Sequence, residues 1–184
     1  MISKKKQDIP SWTDVKTVIY GFDKKQLIEL IGDIYRLSLT NKDFFHTRFE
    51  LCDDPLSSYK QILQNSLNPD HEDRDYLDFE SANDALSRYS KAVDNPKGES
   101  ELMVFYVECG NSYTLSHGDI DQNFYDSLLE VYGNATETVL ELPANEQKEY
   151  RDRLFKIMHS ASGIGRGYYD GLYDLFYGAF PKEN

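Results

Sequence analysis

Between Lys24 and Leu37 the apolar residues Leu27, Ile28, Leu30, Ile31, Ile34, Tyr35 and Leu37 recur at spacings of three and four. That period places an apolar stripe along one face of an α-helix, and it predicts a helix whose stripe is buried. Asp23, followed three residues later by Gln26, supplies a capping-box start for it, with Phe22 and Leu27 placed as a hydrophobic staple. Almost every other segment repeats the same spacing.

The pattern predicts about nine helices. The first runs from Ser11 to Tyr20 with Trp12, Val15, Val18 and Ile19 on one side, and Gly21 ends it. After the Asp23-capped helix, Asn41 caps a third one to about Leu51, carrying Phe44, Phe45 and Phe49. Asp54-Pro55 opens a fourth, closed by Asn68-Pro69, and a fifth spans about Tyr76 to Val93. Asn95-Pro96-Lys97-Gly98 reads as a turn by composition. The run Leu102-Met103-Val104-Phe105-Tyr106-Val107 fits a buried strand or a buried helix, and it is read as helix because no other segment supplies a strand partner. Three more helices follow over about Asn123–Leu140, Asn145–Ser162 and Tyr168–Phe180. The expected fold is all-α, as a compact bundle or an irregular, solenoid-like array of helix pairs. One helical domain over residues 1–184 is expected, with a possible seam near 68–75.

Charge and composition narrow the classes of function. With 14 Tyr and 10 Phe in 184 residues the chain is a globular protein, not a disordered one. Its net charge of -12 argues against direct nucleic-acid binding, which needs Lys and Arg to neutralise phosphates. No apolar run approaches the ~20 residues that cross a bilayer, and the start MISKKKQDIP has no apolar stretch that would make it a secretory signal. Cys52 and Cys109 therefore read as reduced small core residues of a cytoplasmic protein.

The acidic residues are concentrated. Asp70, Glu72, Asp73, Asp75, Asp78 and Glu80 are relieved only by Arg74, and residues 98–147 hold ten acidic side chains with no Lys or Arg. Such a face would attract a basic partner, although acidic surfaces more often serve solubility.

Candidate chemistry is sparse. No HExxH, GxSxG or Walker A pattern is present, and no cofactor is expected. His117, Asp119 and Asp121 place three potential metal ligands at alternate positions, but without the twelve-residue calcium-loop pattern, and a capping role for Asp119 or Asp121 is the better reading. In Gly163-Ile164-Gly165-Arg166-Gly167 neither overlapping start satisfies GxGxxG, so the segment reads as a glycine hinge. Its functional reading is a cation beside aromatics: Arg166, Tyr168, Tyr169, Asp170 and Tyr173 would bind a partner.

Three blocks carry a resemblance to a family. They are Lys24-Lys25-Gln26-Leu27-Ile28-Glu29-Leu30-Ile31 with Ile34-Tyr35, then Gly118-Asp119-Ile120-Asp121 with Phe124-Tyr125-Asp126-Ser127-Leu128, then Ser162-Gly163-Ile164-Gly165 with Gly167 and Asp170, running into Leu172-Tyr173-Asp174-Leu175. Together, over roughly residues 12–180, they resemble a bacterial domain-of-unknown-function family of helical, uncharacterised proteins. The first block is also similar to helical regions of SWIM zinc-finger proteins, whose zinc-ligand set this chain lacks. The resemblance implies an all-α fold and supplies no catalytic residues.

Three functions are consistent with these observations. The first is a non-enzymatic helical module that binds another protein. The second is an acidic decoy or inhibitor of a basic, nucleic-acid-binding protein. The third is a metal-dependent hydrolase built on His117, Asp119 and Asp121, with His159 or the acidic cluster near His71.

Overall fold

The computed structural model describes residues 10–51, 53–70 and 77–181. Among these residues there are nine α-helices and no strand: α1 (Trp12–Ile19), α2 (Lys24–Leu37), α3 (Leu39–Arg48), α4 (Ser57–Leu67), α5 (Phe79–Ala92), α6 (Pro96–His117), α7 (Gln122–Glu141), α8 (Ala144–Ser160) and α9 (Tyr168–Ala179). The all-α class expected from apolar spacing is the class observed. Packing divides the chain into two units, Met1–Phe45 and His46–Asn184, and the division falls inside α3. The stretch 68–75 joins α4 and α5, which pack together within the second unit, and its residues 71–75 lie outside the described residues.

In the first unit the helices are set by local chemistry. Ser11 and Asp14 form a reciprocal capping box at the start of α1. At the start of α2 the Gln26 amide N–H donates to Asp23 Oδ1 at 2.8 Å, and the Asp23 N–H donates to Gln26 Oε1 at 2.9 Å, as the sequence pattern predicts. The start of α3 differs from expectation. Ser38 Oγ, not Asn41, accepts from the backbone there, taking the Asn41 N–H at 3.0 Å, while the Asn41 side chain donates back to the Ile34 carbonyl near the end of α2. A helix end leaves carbonyls open, and Asn41 fills one of them.

The second unit is built around α6, which packs on α4, α5, α7 and α8; α7 and α8 in turn support α9. The sequence 102–107 is part of this helix, and Asn95-Pro96 is its start signal, with the Gly98 N–H donating to Asn95 Oδ1 at 3.2 Å. The turn expected at 95–98 is thus a helix start, because Pro at the first position gives up only an N–H that would have had no partner. Helix α6 is buried on several sides: Leu102, Val104, Tyr106, Val107 and Tyr113 are all fully covered. Two glycines permit the close approach of its neighbours. A Cβ at Gly98 would overlap the Tyr89 hydroxyl, and one at Gly110 would overlap the Leu128 side chain.

Tyrosine is the characteristic core residue. Tyr59, Tyr106, Tyr113, Tyr125, Tyr132 and Tyr168 are each no more than 1% exposed. A buried hydroxyl needs a partner, and here several partners come from a different helix. Tyr106 donates to Asn83 Oδ1 of α5 at 3.0 Å, and Tyr132 donates to the Leu154 carbonyl of α8 at 3.0 Å. Tyr125 and Thr114 of α6 share a hydrogen bond at 2.8 Å, as do Tyr59 and Thr47 at 3.2 Å. The phenol groups thus fill the core and also fix which helix sits beside which.

Candidate functional site

The apolar stripes of α1 and α2 do not end up where a stripe normally goes. No residue from Pro10 to Phe45 is buried. Trp12 is 64% exposed, Val18 62% and Ile28 59%, and Val15, Ile31, Ile34 and Leu37 are exposed as well. The buried face expected of α2 is therefore corrected. The spacing forms the helix, but the described residues of its own unit do not cover its outer apolar row. Ile19, Phe22, Leu27, Leu30 and Tyr35 are half-buried, so the small unit packs lightly on itself.

The binding residues expected near the C-terminus have mixed placements. Gly163, Arg166 and Gly167 adopt φ of 94°, 58° and 72°, which turns the chain sharply between α8 and α9. Arg166, the non-glycine of the three, is held there by Asp119, with Nε donating to Oδ2 at 2.9 Å and to Oδ1 at 3.1 Å. Both side chains are about half exposed, so the pair contributes on the order of 0–1 kcal/mol. Tyr168 is fully buried, its hydroxyl donates to Asn111 Oδ1 at 3.5 Å, and burial pushes its ionisation well above the usual phenol range. It belongs to the core. Tyr169 is half-buried, Asp170 is exposed and Tyr173 is 37% exposed. Tyr169, Tyr173 and Tyr177 form a ladder up α9, with centroids 6.3 and 4.6 Å apart.

His117, Asp119 and Asp121 serve three separate partners. His117 Nδ1 hydrogen-bonds the Tyr113 carbonyl at 2.9 Å and its ring stacks on Tyr113. Asp119 holds Arg166 and accepts from the Tyr125 hydroxyl at 3.3 Å. Asp121 caps α7 by accepting the Phe124 N–H at 2.9 Å. No group of three or more His, Cys, Asp or Glu side chains converges among the described residues. Cys109 is buried, and burial, with Glu108 nearby, pushes its thiol up to about 12, which removes it as a nucleophile at neutral pH. Cys52 and His71 lie outside the described residues.

Of the first acidic cluster, Glu72, Asp73 and Asp75 also lie outside the described residues. Asp70 and Glu80 are exposed, and Asp78 caps α5, with Ser81 holding its carboxyl below the usual carboxylate range. In the stretch 98–147, half of the carboxylates are engaged within the fold. Arg153 binds Glu108 through two hydrogen bonds of 2.8 and 2.7 Å and reaches Glu101 with its remaining nitrogen, while Lys60 holds Glu101 at 2.7 Å. Burial alone would raise the Glu101 carboxyl, but the hydrogen bonds from Arg153 and Lys60 prevail and hold it below its ordinary value. Glu146 pairs with Lys97, while Asp119 and Asp121 act as described. Of the other five, Glu99 is half-buried on α6, and Asp126, Glu130, Glu137 and Glu141 are all exposed and recur at helical spacing on one side of α7, a helix with no Lys or Arg.

Sequence reasoning singled out the Asp119 loop and the Arg166 loop separately and missed that they meet. It also missed the α7 stripe, whose signal was the spacing of the acidic residues at 126, 130, 137 and 141. No helix among the described residues is long and apolar enough to cross a membrane. No family model matches the chain, and neither does any curated protein or solved structure.

Proposed function

We propose that this chain is a non-enzymatic helical interaction module that docks a partner protein through the apolar rows of α1 and α2. The observation that supports it is the burial of the first unit: capped helices with apolar stripes, and no buried residue from Pro10 to Phe45. Helices of 8 and 14 residues are marginal in water, and a capping interaction contributes only about 1 kcal/mol. Taking one Ile or Val side chain out of water contributes about 1.5–3 kcal/mol, so a partner covering this face supplies what the unit lacks. Asp170 is exposed and would add a further contact, while Arg166 is tied to Asp119. Membership of the helical, uncharacterised bacterial family and a cytoplasmic location belong to the same proposal; a buried free thiol at Cys109 fits reducing conditions.

The test compares the wild-type chain with Ile28→Glu/Ile31→Glu/Ile34→Glu. Wild type should capture a defined protein that stays bound at high salt and rebinds when purified, and the triple variant should lose it without change in the thermal unfolding of the second unit. Equal capture by both chains, or no protein that rebinds wild type, refutes the reading. Self-association lost in the variant would identify the partner as a second copy.

The acidic stripe on α7 favours a second reading, a decoy that engages a basic, nucleic-acid-binding protein. That complex would weaken steeply between low and moderate salt, and Glu130→Lys/Glu137→Lys would abolish it.

A further inference from the structure

We propose that the cleft between α8 and α9 binds a small monocarboxylate joined to an aromatic or extended apolar group. The cleft measures about 690 Å³, within the range of small-molecule sites. Its apolar wall is a continuous set of rings. Phe155 and Phe176 have centroids 5.6 Å apart, and Phe176 lies 5.2 Å from both Phe180 and Tyr177. An apolar ring or chain entering here meets ring faces and edges at stacking distance.

Lys148 and Arg151 line the same cleft from one face of α8, with the Arg151 guanidinium 5.7 Å from the Phe180 centroid. Five other cations of this unit are occupied by carboxylates: Arg153 by Glu101 and Glu108, Lys60 by Glu101, Lys97 by Glu146, Arg166 by Asp119 and Arg88 by Asp84; Lys91 and Lys156 form no ion pair among the described residues but do not line the cleft. Lys148 and Arg151 form no such pair among the described residues, although the chain holds 32 acidic residues against 20 basic ones. Two cations without a carboxylate partner among the described residues, Arg151 resting on the Phe180 ring, complement a ligand with an anionic end and an apolar body. A guanidinium fork matches a planar carboxylate through two parallel hydrogen bonds. Among the described residues Asp152 is the one carboxylate lining the cleft, and with Lys148 and Arg151 it leaves a local charge that suits one negative charge on the ligand and disfavours two. Gln147 commits its amide donor to the Leu140 and Leu142 carbonyls at 3.1 and 2.7 Å, so Lys148 and Arg151 supply the donors.

The probe is 2-naphthoate, titrated into the full chain by calorimetry and followed by chemical-shift changes, with 2-naphthalenemethanol and acetate as controls. Naphthoate should bind, shifting resonances of α8 and α9, and each control should bind about tenfold more weakly or not at all. Lys148→Gln/Arg151→Gln, two exposed positions, should weaken naphthoate by about tenfold with unchanged thermal unfolding. Tyr177→Ala should weaken naphthoate and leave acetate unaffected. The proposal is overturned if naphthoate fails to bind at millimolar concentration, if the neutral analogue binds equally, or if the double variant keeps wild-type affinity.

Discussion

Helices α1 and α2 carry full reciprocal capping boxes and have no fully buried residue, whereas α4, α8 and α9 have no side-chain cap and sit on the core. Leu63, Leu154 and Leu172, one from each of those uncapped helices, are completely buried. Capping and apolar spacing decide that a segment is helical, because they satisfy backbone groups and align side chains locally. They do not decide whether the stripe finds a cover. In the second unit α6 provides that cover for α4, α5, α7 and α8, so that packing supports the uncapped α4 and α8 as well as the capped α5 and α7. In the first unit the signals for helix formation are at their clearest and the packing is at its thinnest.

Substitutions that test this contrast should separate into three sizes. Phe124→Ala removes a ring that is 1% exposed and packs edge-on against Phe79 and Tyr125, and urea unfolding should show a loss of about 3–5 kcal/mol. A loss under about 1 kcal/mol would mean that the second unit is no better packed than the first.

Arg153→Ala comes next, at about 2 kcal/mol, because it leaves the half-buried carboxylates of Glu101 and Glu108 without their shared partner. The same network sets a pH dependence. The folded Glu101 carboxyl is held below its ordinary 4.5, so the unfolded chain takes up a proton that the folded chain refuses. The stabilisation is present above about pH 4.5 and is lost as the pH falls through the folded value. Denaturation measured from pH 6 downward should show that decline, and Glu101→Gln should flatten it.

The smallest effect is expected in the first unit. Ile31→Ala, at a side chain 47% exposed, should move the unfolding midpoint of the isolated chain by less than about 0.5 kcal/mol. A core-sized loss would show that α2 is covered in solution and would remove the basis for a docking face.

The helix map was readable from the sequence to within a few residues at most boundaries, because caps and period-3.6 spacing are local. Asp23 with Gln26 marked the start of α2 directly. Where two signals competed the reading slipped: Asn95-Pro96 looked like a turn, and Asn41 looked like a cap although Ser38 performs that role. The candidate sites were less readable. Arg166 and Asp119 lie 47 residues apart, and only the return of the chain after α8 brings them together. Tyr168 looked as eligible for a surface as Tyr173, since both stand on the same aromatic helix. The cleft at Arg151 and Tyr177 combines α8 and α9 and left no mark in either segment alone.

By itself, then, the sequence determined the class of fold, the approximate helix map and the caps of α2 and α7, each of which depends on residues a few positions apart. Only the tertiary structure decided which apolar stripes are covered, which tyrosines lie in the core, which carboxylates are spent on Arg153 and Lys60, and which cations have no carboxylate partner among the described residues. Those outcomes depend on which helix faces meet. A spacing of three or four residues records that a face exists, and the identity of its neighbour is settled by the packing of the whole chain.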